Sequence, residues 1–273
     1  MIQRFLSRAA LFALAVTFTA TDARAADAVK LPPKDRFHLF LLVGQSNMAG
    51  RGKVEPADQK PQARVLMLDK SGAWVPAVDP LHFDKPAAGV GLGKTFGTLI
   101  AEAEPGITVG LIPCAVGGSP IDVWKPGVFY PATKCHPWDD ALRRAQLALQ
   151  SGTLKGILWH QGESDCSDAL AGAYEEKLRD LVVRLRAELA APEVPFILGQ
   201  LGQYPDVPWT EGRYVVDRAH RELPGKVAHV AFVKSDGLVH GGDKIHFDAA
   251  SAREFGKRYA EAFLKMTAGV GKK

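Results

Sequence analysis

Short, almost wholly apolar runs alternate with longer amphipathic stretches along this chain. The runs Phe37–Val43, Arg64–Leu68, Ile107–Pro113, Leu154–Trp159, Phe196–Gln200 and Ala228–Val233 hold few polar positions. That is the pattern of strands buried on both faces of a parallel sheet. Helical spacing fills the gaps, predicting helices over Leu92–Glu104, Trp138–Gln150, Asp168–Ala190, Gly212–Glu222 and Asp248–Met266. In the third of these, Leu170, Tyr174, Leu178, Leu181, Leu185 and Leu189 recur at steps of three and four, with charged residues between them. Strand alternating with helix, without internal repeat, predicts an α/β domain of three layers. In such sheets ligands sit beyond the carboxyl ends of the strands, so chemistry is to be sought just after each apolar run.

The first 25 residues follow a different rule. Arg4 and Arg8 precede the apolar run Ala9–Ala20, and Ala23-Arg24-Ala25 closes the segment as a small-x-small cleavage site. This is the three-part form of a secretory signal peptide, with an apolar run too short to span a bilayer comfortably. Cleavage after Ala25 leaves residues 26–273, 273 − 25 = 248 residues, enough for a single domain with a substantial core. The expectation is an exported protein, periplasmic or extracellular, with no membrane attachment once the signal is removed. The balance of 34 Lys+Arg against 30 Asp+Glu includes no basic block, which argues against a nucleic-acid partner. Export makes the cysteines relevant. Cys114 reads as a buried thiol in an apolar run, while Cys135 and Cys166 lie in polar stretches and are the pair to expect if one disulfide forms. Neither a CxxC nor a Cys/His cluster of zinc spacing occurs, so no structural metal is expected.

Four polar, glycine-containing stretches fall where one edge of the sheet would collect them: Gly44–Gly50, Cys114–Ile121, His160–Asp165 and Asp243–Phe247. Their chemistry is coherent. Ser46 is a weak nucleophile that needs a general base, and His246 can serve. An imidazole needs a carboxylate to set its tautomer, and Asp243 stands three residues away. The backbone N–H groups of Ser46 and Gly118 and the side-chain amide of Gln161 can donate to a developing oxyanion. Singly, each has an ordinary reading: Gly-x-Ser and Gly-Gly are common turns, Asp-x-x-His can cap a helix, and His160 suits a buried, hydrogen-bonded role. Phosphate binding finds neither of its usual glycine patterns.

Together, Gly44-Gln45-Ser46-Asn47-Met48, Gly117-Gly118-Ser119 with Trp124, Trp159-His160-Gln161-Gly162-Glu163-Ser164-Asp165 and Asp243-x-x-His246-Phe247 resemble the SGNH-hydrolase superfamily. Within it they are similar to the sialate O-acetylesterase-like group that includes acetylxylan esterases of carbohydrate esterase family six. The resemblance implies a flavodoxin-like α/β/α sandwich around a parallel sheet of about five strands. It also implies a serine esterase that removes acetyl groups from carbohydrate without a cofactor. Carried across, Ser46 is the nucleophile, His246 the base and Asp243 its orienting acid, with Gly118 and Gln161 completing the oxyanion hole beside the Ser46 N–H. Gln45 and Gln161 replace the Asp and Asn of the wider superfamily, as this subgroup usually does. Glu163 competes with Asp243 for the role of acid, with substrate positioning as its other reading.

The leading function is therefore an exported carbohydrate O-acetylesterase acting on acetylated xylan or a related saccharide. The alternatives are O-acetyl sialic acid or another small ester as substrate, and a non-catalytic carbohydrate-binding protein on the same fold. The intact Ser46, Asp243 and His246 argue against the last. Trp124, Tyr204 and Trp209 lie near strand ends and are candidate sugar contacts, whereas Trp159 reads as core.

Overall fold

The structure, a computed structural model, describes residues 29–268, so the segment read as an export signal lies outside the described residues. All six apolar runs are strands, joined by a short seventh. In chain order the elements are β1 (Phe37–Gly44), α1 (Ser46–Ala49), β2 (Val65–Leu68), β3 (Trp74–Pro76), α2 (Gly93–Ala103), β4 (Thr108–Pro113), α3 (Pro137–Leu149), β5 (Thr153–His160), α4 (Asp168–Ala171), α5 (Tyr174–Glu188), β6 (Phe196–Gly199), α6 (Glu211–Lys226), β7 (Val230–Val233) and α7 (Ala249–Thr267). One sheet runs in the order β3-β2-β4-β1-β5-β6-β7. All neighbours are parallel except β3, which returns antiparallel on β2.

The sheet is wider than the five or so strands that the resemblance implied. Its edge strand β3 is three residues long and none of them is buried, so no apolar run announces it. A turn creates it: the Asp69 carboxylate accepts from the Ala73 N–H (2.8 Å) and the Ser71 hydroxyl (2.7 Å), folding the chain back onto β2.

Alternation along the central strand divides the core. Leu39, Leu41 and Val43 meet Trp138, Tyr174, Leu178 and Val216 from α3, α5 and α6. Phe40 and Leu42 meet Phe96 from α2 and Phe255, Tyr259 and Phe263 from α7. Two-residue periodicity thus sends one strand's side chains into both outer layers. The helix expected over Asp168–Ala190 is interrupted at Gly172 and Ala173, where glycine is about 1 kcal/mol poorer than alanine in a helix.

The connections decide where a site can form. From β1 the chain goes outward to β2 and β3, returns to β4 beside β1, then crosses to β5 on β1's other side. This reversal opens a crevice at the carboxyl ends of β1, β4 and β5. Three of the four polar stretches begin there.

Candidate active site

β1 ends at Gly44 (φ 129°), where a β-carbon would lie 2.1 Å from the His160 carbonyl oxygen. Only glycine lets the strand finish this close to β5. The Gln45 N–H then bonds His160 O (2.8 Å), and the chain turns into α1 with Ser46 as its first residue. Ser46 is almost buried, and its N–H has no acceptor within the described chain, as expected for the opening amides of a helix.

The second half of the site comes from 200 residues downstream. Between β7 and α7, Asp243 Oδ1 accepts from the N–H groups of Ile245 (2.9 Å) and His246 (2.8 Å), closing a tight loop. Asp243 Oδ2 lies 2.5 Å from His246 Nδ1. Since a carboxylate only accepts, that ring nitrogen carries the proton and Nε2 is left as an acceptor. Ser46 Oγ stands 2.9 Å from Nε2, so the hydroxyl proton has a direct path to the imidazole. Partial burial alone would push the Asp243 carboxyl up; the hydrogen bonds from its own loop and from the ring outweigh it and hold the group at about 2. Asp243 nevertheless remains half exposed, with 51% of its side chain accessible.

Asn47 joins the two halves. Its amide nitrogen donates to Glu163 Oε1 (2.6 Å) and to Ile245 O (3.2 Å), and its oxygen accepts from the Phe247 N–H (3.1 Å). The residue beside the serine therefore grips the backbone on both sides of His246. Glu163 does not reach that ring. It sits buried between Asn47 and His160, whose Nε2 is 3.4 Å from Oε1. Burial would raise its carboxyl, but the His160 ring and the Asn47 amide lower it to about 2. Asp243 is thus the carboxylate on His246, and Glu163 anchors the residue that holds the histidine loop.

The turn after β4 lies alongside. Val116 N–H bonds Gly44 O (2.9 Å), bringing Gly117 and Gly118 beside the Ser46 turn. Gly118 has φ 80°, a conformation that favours glycine. Its carbonyl is pinned by Tyr130 Oη (2.7 Å) and Ser164 Oγ (3.0 Å), while its N–H has no acceptor within the described chain. The preceding Gly117 N–H donates to Asp84 Oδ2 (2.8 Å), which Arg51 also engages at 2.7 Å. Arg51 and Asp84 were invisible to sequence reading, since neither belongs to a motif or a periodic element. Asn47 was visible inside the serine block, though nothing local marked it as a bridge.

Several expectations need correction. Gln161 is fully buried and turned away from an oxyanion role. Its nitrogen donates to Ser119 O (3.1 Å) and Asp165 Oδ2 (2.5 Å), and its oxygen accepts from Tyr174 (2.8 Å). Every polar atom of the amide is committed to tying the β5 loop to its neighbours. Trp124 is also fully buried, donating to Ser119 Oγ (3.0 Å) and meeting Trp159 edge-on, so it offers no face to a sugar. Tyr204 is buried too, its hydroxyl bonded to Ile245 O (3.2 Å) under the histidine loop. Of the three aromatics named, Trp209 alone stays partly open. Cys135 and Cys166 are free thiols, as is Cys114: Cys135 Sγ is paired with Thr133 Oγ1 and Cys166 Sγ with the Gly162 carbonyl. Among the described residues no group of His, Cys, Asp and Glu is arranged to hold a metal ion.

Residues 36–265 match the family described as "SASA: Carbohydrate esterase, sialic acid-specific acetylesterase". The chain belongs to this family. It is accordingly a carboxylic ester hydrolase, an O-acetylesterase by family. It is similar to the probable carbohydrate esterase At4g34215 of Arabidopsis thaliana, with 29% identity over 256 residues, covering 86% of this chain and 92% of the relative. The crystal structure of that plant protein superposes with a TM-score of 0.74, covering 86% of this chain and 99% of the other. Fold likeness extends to NanS (TM-score 0.71, 16% identity, 87% and 99% covered). It extends also to XAC1771, a carbohydrate acetylesterase from Xanthomonas citri (0.64, 18%, 86% and 57%).

Proposed function

We propose that this SASA-family esterase is exported and frees acetate from acetylated carbohydrate through an acetyl-Ser46 intermediate. The observation that carries this reading is the continuous hydrogen-bonded line Ser46–His246–Asp243 at the carboxyl edge of the sheet. In the first step Ser46 Oγ attacks the acetyl carbonyl carbon as its proton passes to His246 Nε2. The charge growing on the carbonyl oxygen meets the free N–H groups of Ser46 and Gly118. Collapse expels the sugar oxygen, which takes the proton back from His246. Water, deprotonated by the same imidazole, then attacks acetyl-Ser46; the adduct collapses to acetate as the bond to Ser46 Oγ breaks and that oxygen takes the proton back from His246 Nε2. Asp243 keeps the ring in the productive tautomer and balances its charge when protonated.

Acetylated xylan or a related saccharide is the proposed substrate. One feature favours O-acetyl sialic acid as a second reading. Lys85 Nζ lies 3.8 Å from where a β-carbon on Gly118 would sit, and Lys85 makes no ion pair among the described residues. An unneutralised cation beside the acyl site would suit a sugar carrying a carboxylate. Acetate release from acetylated xylan, simple sugar acetates and O-acetyl sialic acid, measured side by side, separates the two. Ser46→Ala is expected to stay folded and lose roughly 10⁴-fold or more in kcat; near-normal acetate release by that variant overturns the serine-esterase reading. Export predicts that the secreted protein begins at Ala26, which its intact mass reads directly.

A further inference from the structure

The segment between β6 and α6 does more than close the fold. Residues 200–210 run along the same carboxyl edge as the triad and meet the turn after β7 at Asp236 and Gly237. Together they border an open cavity of ≈ 440 Å³ on the surface, whose walls include Gln203, Tyr204, Trp209, Tyr214 and Asp236. None of these residues takes part in the proton path or in the turn at Gly118.

The aromatic wall is held in place. Trp209 Nε1–H donates to Gly202 O (3.1 Å), and Tyr214 meets the indole edge-on with centroids 5.4 Å apart. Arg213 lies over the same indole at 5.8 Å. Tyr214 is 52% exposed although it sits at the opening turn of a long helix, where a polar residue would serve solubility better. A rigid indole beside an open phenol is costly to leave in water and suited to the C–H face of a ring that carries hydroxyls around its edge. The polar groups agree. Gln203 offers an amide, and Asp236 offers an exposed carboxylate whose backbone carbonyl is held by Arg258 (2.8 Å) and which pairs loosely with Lys234 at 4.0 Å. No basic side chain lines the cavity, so a neutral ring that can hydrogen-bond Gln203 and Asp236 fits its lining better than an anionic one.

Tyr204 sets the relation to the acyl site. It lines this cavity, its ring touches Phe247 edge-on at 5.8 Å, and its hydroxyl holds the carbonyl of Ile245 beside the catalytic histidine. The cavity and the triad are therefore on two sides of one tyrosine. We propose that this cavity is a subsite for an uncharged sugar ring, occupied by an unacetylated neighbour of the ring whose ester is cleaved. The assignment rests on the carbohydrate-esterase reading above and makes the protein a reader of oligosaccharides rather than of isolated sugar acetates.

Direct binding tests it independently of acetate release. Acetate-free xylotetraose, cellotetraose and mannotetraose are titrated into the full-length mature protein, following the indole N–H signals by NMR. Saturable perturbation of one indole by at least one of the three is expected. Tyr214→Ala and Asp236→Asn, both changes at open positions, are expected to weaken it about fivefold or more. Absence of saturation by all three up to about 10 mM, or binding untouched by both substitutions, overturns the subsite. If binding behaves as expected while no acetylated saccharide yields acetate, the subsite stands and the enzymatic reading falls. If acetate is released but no tetrasaccharide binds, the reverse holds.

Discussion

Two carboxylates sit within reach of the same histidine loop, both held at about 2, and they do different work. Asp243 is half exposed and owes its low value to hydrogen bonds within its own three-residue loop and to the His246 ring. Glu163 is buried and owes its value to His160 and Asn47, two partners that the fold brings to it. The exposed acid touches the imidazole itself. The buried acid does not touch that imidazole; it meets His160 and Asn47, and Asn47 is the residue that locates the imidazole. An open position leaves a carboxylate in contact with water; a closed one makes its hydrogen bonds strong enough to hold a loop still.

The contrast is sharpest in turnover. Asp243→Asn removes charge with little change of size and is expected to lower kcat by roughly 10²–10⁴ in protein that remains folded. Glu163→Gln should cost much less in kcat at equal foldedness. Steady-state acetate release from the two purified variants decides it, and a larger loss for Glu163→Gln would return the glutamate to the catalytic line. Gln161 extends the comparison to an amide on the buried side. Gln161→Ala leaves the Ser119 carbonyl without its amide donor and removes one partner each from Tyr174 and Asp165, so it is expected to lose about 2–4 kcal/mol of stability in urea unfolding. The folded fraction should keep its kcat within about tenfold; a drop of about 10²–10³ in kcat would make the amide an oxyanion donor after all.

Acid stability reads the buried member by itself. Glu163 is lowered from 4.5 to about 2 in the folded chain, so between those values the unfolded chain binds the extra proton. Its stabilisation is fully present above pH ~4.5 and is lost as pH falls toward ~2. Glu163→Gln should therefore flatten the fall in Tm between pH 5 and pH 3, relative to wild type, by about the amount that this coupling supplies. An unchanged slope would mean that the carboxylate gains nothing from its partners. The smallest effect is expected at the brace from the other direction: Tyr204→Phe deletes only the bond to Ile245 O, costing about 1 kcal/mol in stability and a few-fold or less in kcat.

Much of this could be read before folding. The six long strands were legible because burial on both faces leaves no room for polar positions, and the main helices because their buried stripes recur every three to four residues. Asp243 and His246 were legible as a pair because three residues of chain cannot separate them far. β3 was not, since an edge strand of three residues owes its place to the turn before it. The break in the helix at Gly172 depended on a single weak helix former inside an otherwise persuasive pattern.

What spacing could not supply was burial and direction. Gln161 and Trp124 stand in polar, motif-bearing stretches that look open in the sequence, yet neighbours from β5, α5 and the turn after β4 close over them and claim their polar atoms. Ser46 and His246 are brought to 2.9 Å by strand order and by Asn47, across 200 residues of chain. Arg51 and Asp84 meet Gly117 only because two separate loops, one before β2 and one after β3, are brought together over the turn after β4. Local chemistry is written in the order of residues, since short segments constrain themselves. Which of two nearby carboxylates meets a ring, and which amide points at a reacting atom, depends on contacts between segments that only the closed fold creates.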